Sequence, residues 1–249
     1  MGDSLKGKVA VITGVGSGFA KATAELFARV DQVSLVMIDI NEKNLCAAAD
    51  NCRAAGSQVV AFAGDVTKPE TFERALKETL DHFVKVDFLI NYAGGALKVA
   101  PIEEMDDAIN RRIIDLNLTS TIMSCRTFSP QFKKQGYGKI INVSSACDRR
   151  SWPGWSVYSA AKAGVNAFTK CLYTELRPHG IAVTLLVPGG SNTGFQAAAE
   201  GVKKFEWDED LAVRPEHFAD MVYQTCALTR GGCVSEMLVY GLAQDVSGF

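Results

Sequence analysis

The 249 residues predict an α/β fold: a doubly wound parallel β-sheet of about seven strands with helices on both faces, in one domain spanning 1–249. Three observations carry that reading. Short apolar runs rich in β-branched residues alternate with segments whose apolar residues recur at helical spacing. The runs are apolar throughout, as strands buried on both faces are. No linker, low-complexity stretch or internal repeat divides the chain.

Composition narrows the function classes. Apolar residues make up 47 %, which excludes a disordered chain, and no apolar run is long enough to span a bilayer. A net charge of −2 gives no electrostatic case for nucleic acid or for an anionic membrane surface. Seven Cys without a Cys-x-x-Cys pair, and three His, predict no metal site and reduced thiols in a cytoplasmic compartment. Met1 to Lys8 is short and polar, with no secretory apolar region.

In chain order, Lys8–Thr13 is a strand that meets Gly14, Gly16 and Gly18. Phe19, Ala22, Leu26, Phe27 and Val30 mark a helix. Val33–Asp39 is a second strand, and Asn41 caps a helix to Ala55 closed by Gly56. Val59–Ala63 is a third strand. Thr67 and Glu70 have capping-box spacing, with Pro69 in the first turn of a helix towards Phe83. Val86–Asn91 is a fourth strand. A long helical segment runs from Met105 to Lys134, bent or interrupted at Pro130. Lys139–Val143 is a fifth strand, the helix through Tyr158 and Lys162 reaches Leu176, and Ile181–Val187 is a sixth strand. Residues 191–213 read as an irregular or loosely helical loop that sets specificity. Pro215 opens a last helix, and Met237–Tyr240 is the seventh strand.

Three stretches carry chemistry. The glycine turn follows a strand and opens a helix, where backbone can approach a pyrophosphate and the helix N-terminus favours its charge. Asp39 ends the next strand, where a carboxylate accepts from ribose hydroxyls and repels a 2′-phosphate, so NAD is expected over NADP. Tyr158 and Lys162 stand four apart, on one helix face. A cation beside a phenol favours the phenolate, which suits proton exchange with a carbonyl or alcohol oxygen.

Together these stretches resemble the short-chain dehydrogenase/reductase family, in its compact, single-domain, Rossmann-type form. The family's glycine motif is matched by Thr13, Gly14 and Gly18, with Ala20 in the last place. The resemblance implies that Gly14, Ser17, Gly18, Phe19, Asp39, Ile40, Asp65, Val66, Asn91, Ala93, Gly94, Tyr158, Lys162, Pro188, Gly189, Ser191 and Thr193 hold the cofactor. Tyr92 and Ser191 depart from the family pattern, in the Asn-Asn-Ala-Gly segment and at the carboxamide contact. It also implies a catalytic set of Asn117, Ser145, Tyr158 and Lys162, with Ser145 thirteen residues before Tyr158 and preferred over Ser144. Tyr158 would be the acid/base, and Lys162 would lower its pKa and hold the ribose. Ser145 would bind the substrate oxygen, and Asn117 would hold a water.

The substrate is then a small alcohol or ketone. Ser145, Cys147, Trp152, Trp155, Tyr158 and Phe195 are expected to face it, with Phe205 and Trp207 in the same loop, which favours an apolar or ring-bearing molecule. Arg149 and Arg150 stand either in a solvated loop or against a substrate anion. A homotetramer or homodimer is implied by the family. Two other readings stay open: a 3-oxoacyl-thioester reductase, for which Lys21 is the one basic residue near the turn, and a dinucleotide sensor without catalysis.

Overall fold

A computed structural model describes residues 3–150, 152–191, 193–195, 198–202 and 212–242. Seven strands form one sheet: β1 (Val9–Thr13), β2 (Ser34–Asp39), β3 (Val59–Ala63), β4 (Phe88–Asn91), β5 (Gly138–Val143), β6 (Ile181–Pro188) and β7 (Glu236–Val239). Their order is β3-β2-β1-β4-β5-β6-β7 and every pairing is parallel. The chain winds outward from β1 to β3, crosses back, and winds outward again from β4. The strand order therefore reverses between β1 and β4, and a crevice opens at the strands' carboxyl ends.

The helices are α1 (Gly18–Asp31), α2 (Glu42–Ala54), α3 (Pro69–Phe83), α4 (Asp107–Ile114), α5 (Ser120–Gln135), α6 (Ser156–Leu176) and α7 (Pro215–Ala227). Two apolar clusters cover the two sheet faces. Ala10 and Ile12 of β1 face one, with Phe27 and Phe218; Val11 faces the other, with Phe128 and Phe132. That alternation is the period of two of a strand buried on both sides. Among the described residues no helix is long and apolar enough to cross a membrane.

Asn41 caps α2 as its residue type predicts, its Oδ1 accepting the Asn44 N–H at 3.0 Å. Two local expectations are corrected. Thr67 does not cap α3: its N–H and hydroxyl both go to Asp65 Oδ1, at 2.9 and 2.8 Å, and Lys68 stands at the cap position. Asp65, two residues earlier, instead holds Thr67 in a local turn, accepting both its N–H and its hydroxyl. Pro130 does not interrupt α5, which runs through it to Gln135. The break in the long helical segment lies at Asp115–Thr119, a π-helical turn between α4 and α5 that contains Asn117. Phe205 and Trp207 lie outside the described residues.

Val84 closes α3 with φ +66° and is 80 % exposed. A β-branched side chain is strained there and packs against nothing that repays it. Val84→Asn is expected to raise stability by about 0.5–1 kcal/mol in urea unfolding. An unchanged or lower midpoint at equal slope would show that the turn is unstrained.

Candidate functional site

The crevice is a cleft of about 740 Å³, within the range of ligand pockets. The glycine turn forms one end. At Gly14, φ is +79° and a Cβ would stand 3.1 Å from Ala93 N and Cα, so the ends of β1 and β4 touch backbone to backbone. A Cβ on Gly16 would lie 2.9 Å from the Asp39 carboxylate, whose Oδ2 accepts the Gly16 N–H at 2.8 Å. Asp39 Oδ1 takes the Asn41 N–H, also at 2.8 Å. The carboxylate is thereby pinned at the rim, beside exposed Ile40. Ser17, which caps α1, makes no side-chain bond to its first turn. The orphan donors of that turn stay available to an anion.

Asp65 and Val66 line the cleft beyond Asp39. Burial alone would raise the Asp65 carboxyl, but the two Thr67 bonds, with Lys68 and Arg112, hold it below the ordinary carboxylate range. Tyr92, the departure beside Ala93, turns its hydroxyl to Thr23 Oγ1 of α1 at 2.8 Å, so its partner is inside the protein. Thr193 closes the far wall, with its Cβ and methyl 3.6 Å from where a Gly18 Cβ would be. Ser191 does not face a ligand with its hydroxyl: the side chain bonds the Val213 carbonyl and ties the start of the 191–213 loop to its end. Asn91 also turns inward, bonded to Asn142 at 2.9 Å and Ser124 at 2.7 Å beneath the cleft.

At the other end, Tyr158 and Lys162 of α6 are buried, at 6 % and 3 % exposure. Lys162 Nζ donates to the Val143 carbonyl at 3.0 Å and lies 5.7 Å from the Tyr158 ring centroid. Burial pulls the ammonium down to about 8, against the opposing influence of Cys147 and Asp148. The Tyr158 hydroxyl moves opposite to the sequence expectation: burial pushes it above the ordinary phenol range, Cys147 and Asp148 add to that, and only Ser145 opposes. Desolvation disfavours the phenolate, whereas the Lys162 ammonium is engaged by the Val143 carbonyl, 5.7 Å from the ring centroid. Asn117 sits at the same spot. Its Nδ2 donates to the Gly95 and Ile113 carbonyls, both at 2.8 Å, and its Oδ1 accepts the Gly95 N–H at 3.0 Å. A Cβ on Gly94 would stand 2.7 Å from Asn117 Oδ1 and 3.2 Å from Lys162 Nζ, so only glycine fits between them.

Ser145 lines the cleft and accepts the Cys147 N–H at 3.2 Å. Ser144 turns away, to Asp148 at 2.8 Å. Trp155 stacks on Phe195 at 6.4 Å and 12°, and each ring centroid is 5.6 Å from that of Tyr158. Cys147 and Trp152 complete that end. Arg149 is partly exposed and pairs with Asp148 at 3.2 Å and Glu236 at 2.6 Å.

Sequence reasoning missed Leu97, which lines the cleft with φ +57°. Lys98 N–H bonds back to the Ala96 carbonyl at 2.6 Å, a γ-turn of the strained, positive-φ kind. It is clamped by Glu200 N–H on the Leu97 carbonyl at 2.9 Å and Val99 N–H on the Glu200 carbonyl at 2.8 Å. No residue preference predicts a Leu there. The one signal was Gly201, where a Cβ would strike the Val99 carbonyl at 2.2 Å.

A nicotinamide dinucleotide fits these residues. The Cβ positions at Gly14 and Gly16 are occupied by backbone and carboxylate, uncapped N–H donors suit a pyrophosphate, and Asp39 suits ribose hydroxyls. The paired phenol and ammonium beside a cleft-lining serine can exchange a proton with a substrate oxygen.

Comparison with known proteins agrees. The short chain dehydrogenase family model matches residues 8–203. A 3-oxoacyl-[acyl-carrier-protein] reductase of Synechocystis sp. is 33 % identical over 187 residues, 75 % of each chain. The (2S)-[(R)-hydroxy(phenyl)methyl]succinyl-CoA dehydrogenase subunit BbsD of Thauera aromatica is 31 % identical over 252 aligned positions, covering 98 % of this chain and 92 % of its own. An alcohol dehydrogenase structure from Thermococcus sibiricus, complexed with 5-hydroxy-NADP, superposes with TM-score 0.85 at 25 % identity, covering 97 % of this chain and 99 % of that one.

The Lys162 shift has a stability consequence. Its ammonium titrates near 8 in the fold against 10.5 as a free side chain. Below about pH 8 both states are charged and burial costs the fold its full penalty, on the order of 3 kcal/mol. Between 8 and 10.5 the unfolded chain binds more protons, so stability rises with pH. Lys162→Met is therefore expected to melt above wild type at pH 6, with the gap narrowing towards pH 10. A gap constant across that range would rule out a buried ammonium.

Proposed function

The chain belongs to the short chain dehydrogenase family, and on that premise we propose that it is an NAD-dependent oxidoreductase interconverting a secondary alcohol and a ketone, with an apolar or ring-bearing substrate. The observation that carries the reading is the buried Tyr158–Lys162 pair, beside Ser145, at one end of a cleft whose other end is rimmed by Asp39.

Gly14, Ser17, Gly18, Asp39, Asp65 and Thr193 would hold the dinucleotide, which when bound supplies or accepts the hydride. The other steps belong to side chains. Ser145 holds the substrate oxygen by its hydroxyl. Tyr158 gives that oxygen a proton in reduction and takes one in oxidation. A phenol above its ordinary range favours the protonated, donating form, and the Lys162 ammonium limits the cost of the phenolate left behind. Asn117 fixes Gly95 and the wall beside Lys162. Trp155 and Phe195 exclude water from the Tyr158 hydroxyl and favour flat apolar groups.

NAD is preferred because the Asp39 carboxylate stands where a 2′-phosphate would lie, and Lys21 is drawn 3.9 Å from Glu25. The 5-hydroxy-NADP of the Thermococcus sibiricus structure makes this the point to test. A second reading, a 3-oxoacyl-thioester reductase, is favoured by the Synechocystis and Thauera aromatica relatives. A homodimer or homotetramer accords with exposed Leu238 on the edge strand β7.

The test is nicotinamide reduction across aromatic, alicyclic and 3-hydroxyacyl thioester alcohols, with NAD and NADP. Ring-bearing alcohols with NAD are the expected substrates; turnover of the thioesters alone would select the second reading. Tyr158→Phe should keep cofactor binding and lose ~10²–10⁴-fold in turnover. Near-normal turnover in that variant ends the acid/base assignment, and bound NADH without turnover on any alcohol leaves a sensor. Asp39→Ala should narrow the preference for NAD; tighter NADPH than NADH binding by the wild type contradicts the role given to Asp39.

A further inference from the structure

Asp148 has no part in the chemistry above, yet it is the most completely enclosed carboxylate beside it. It follows Ser145 by three residues and its side chain is 0 % exposed. Its Oδ2 accepts the Ser144 hydroxyl at 2.8 Å and the Asn166 carboxamide N–H at 2.9 Å, and its Oδ1 accepts Arg149 Nε at 3.2 Å. Ser144 precedes Ser145 and shares its hydroxyl proton with the Lys162 carbonyl at 3.0 Å. Asn166 stands one turn after Lys162 on α6. One carboxylate therefore grips the neighbours of both Ser145 and Lys162.

A buried carboxylate is tolerated only when paired and hydrogen-bonded. Here the pairing is partial. Arg149, 30 % exposed, is divided between Asp148 and Glu236, and Glu236 also reaches Lys170 at 3.7 Å. Half-neutralised from the solvent side, Asp148 keeps a negative field towards the interior. The titratable groups facing it there are Lys162, Tyr158 and Cys147. Burial raises the Tyr158 and Cys147 protons, so both are neutral near pH 7, and Asp148 supplies the negative charge acting on Lys162.

We propose that Asp148 is a positioning residue for the reaction proposed above: its carboxylate braces Ser144 and Asn166, and its charge, set by how Arg149 is shared with Glu236, keeps the enclosed Lys162 ammonium charged. The inference rests on the Tyr158–Lys162 reading for its effect on turnover, but the field itself is measurable without turnover.

The experiment compares Asp148→Asn, Arg149→Gln and Glu236→Gln by two readouts. One is the pH profile of kcat/KM for alcohol oxidation. The other is the pH midpoint of Cys147 alkylation by iodoacetamide, resolved by peptide mass spectrometry on the protein without substrate or cofactor. Asp148→Asn removes the negative charge, so both should move to lower pH by at least about half a unit. Arg149→Gln strips the counter-charge and should move both to higher pH. Glu236→Gln hands Arg149 wholly to Asp148 and should move both to lower pH, by less. Asp148→Glu should recover the wild-type midpoint. Shifts of one sign in all three variants, or lower activity with unmoved midpoints, would make Asp148 a packing residue and overturn the proposal. Failure of the reaction reading appears separately, as turnover that survives Tyr158→Phe, while the thiol midpoints still decide the field.

Discussion

An ammonium buried on α6 is the constraint around which the site is built. The Lys162 ammonium has a single hydrogen-bond partner among the described contacts, the Val143 carbonyl. Such a charge survives inside a protein only if its surroundings are fixed in advance. The neighbouring departures from regular structure meet that need. Gly94 leaves room for Nζ and for Asn117 Oδ1 at the same point. The π-helical turn carries Asn117 in to that point, and its carboxamide locks Gly95 by both donor and acceptor. The 3₁₀ turn after Ser145 brings an enclosed carboxylate behind the serine pair. Each of these would be a local defect in an ordinary α/β protein, and together they form one electrostatic enclosure.

The cofactor end follows a different logic, in which backbone dominates. The contact of Gly14 with Ala93 sets the depth of the cleft at the switch in strand order, and Asp39 is aimed by two main-chain N–H groups. Backbone donors hold a side chain with little lost rotamer entropy, so a rim acid can discriminate without a buried partner. Lys21 is the nearby cation that might have offset that acid, and its attraction to Glu25 draws it along α1. Ser191, unusual for the family, gives its hydroxyl to Val213 and so closes the loop on itself.

How much of this the sequence disclosed depended on whether a feature was set locally. The strands, the Asn41 cap and the glycine turn were legible because periodicity and residue type act within a few positions. The preference for Ser145 over Ser144 came from the family resemblance, and the Ser144 hydroxyl is engaged by Asp148 and the Lys162 carbonyl. What escaped was decided by partners far along the chain. Asn91 stands in a motif that resembles a cofactor contact but hydrogen-bonds β5 and α5. Leu97 adopts a backbone that no propensity favours, because Glu200 clamps it from a hundred residues away. Arg149 looked like a loop cation, and only the arrival of β7 gives it Glu236.

The same non-local bonds explain how burial and chemistry coexist at Tyr158. Its hydroxyl is raised by desolvation, and the two rings packed on Tyr158 come from separate places: Trp155 from the segment before α6, and Phe195 from the loop after β6. Phe195 is the member carried by the loop, and its N–H bonds Thr193 Oγ1 at 3.3 Å, the residue that also walls the glycine turn. One short segment, 193–195, therefore both walls the glycine turn and covers the phenol. Desolvation favours the neutral phenol, whereas catalysis needs brief access to the phenolate. Under the proposed reaction, the Lys162 ammonium 5.7 Å from the ring centroid is the positive charge offered to that phenolate, which is why the aromatic cover and the buried ammonium belong to one arrangement.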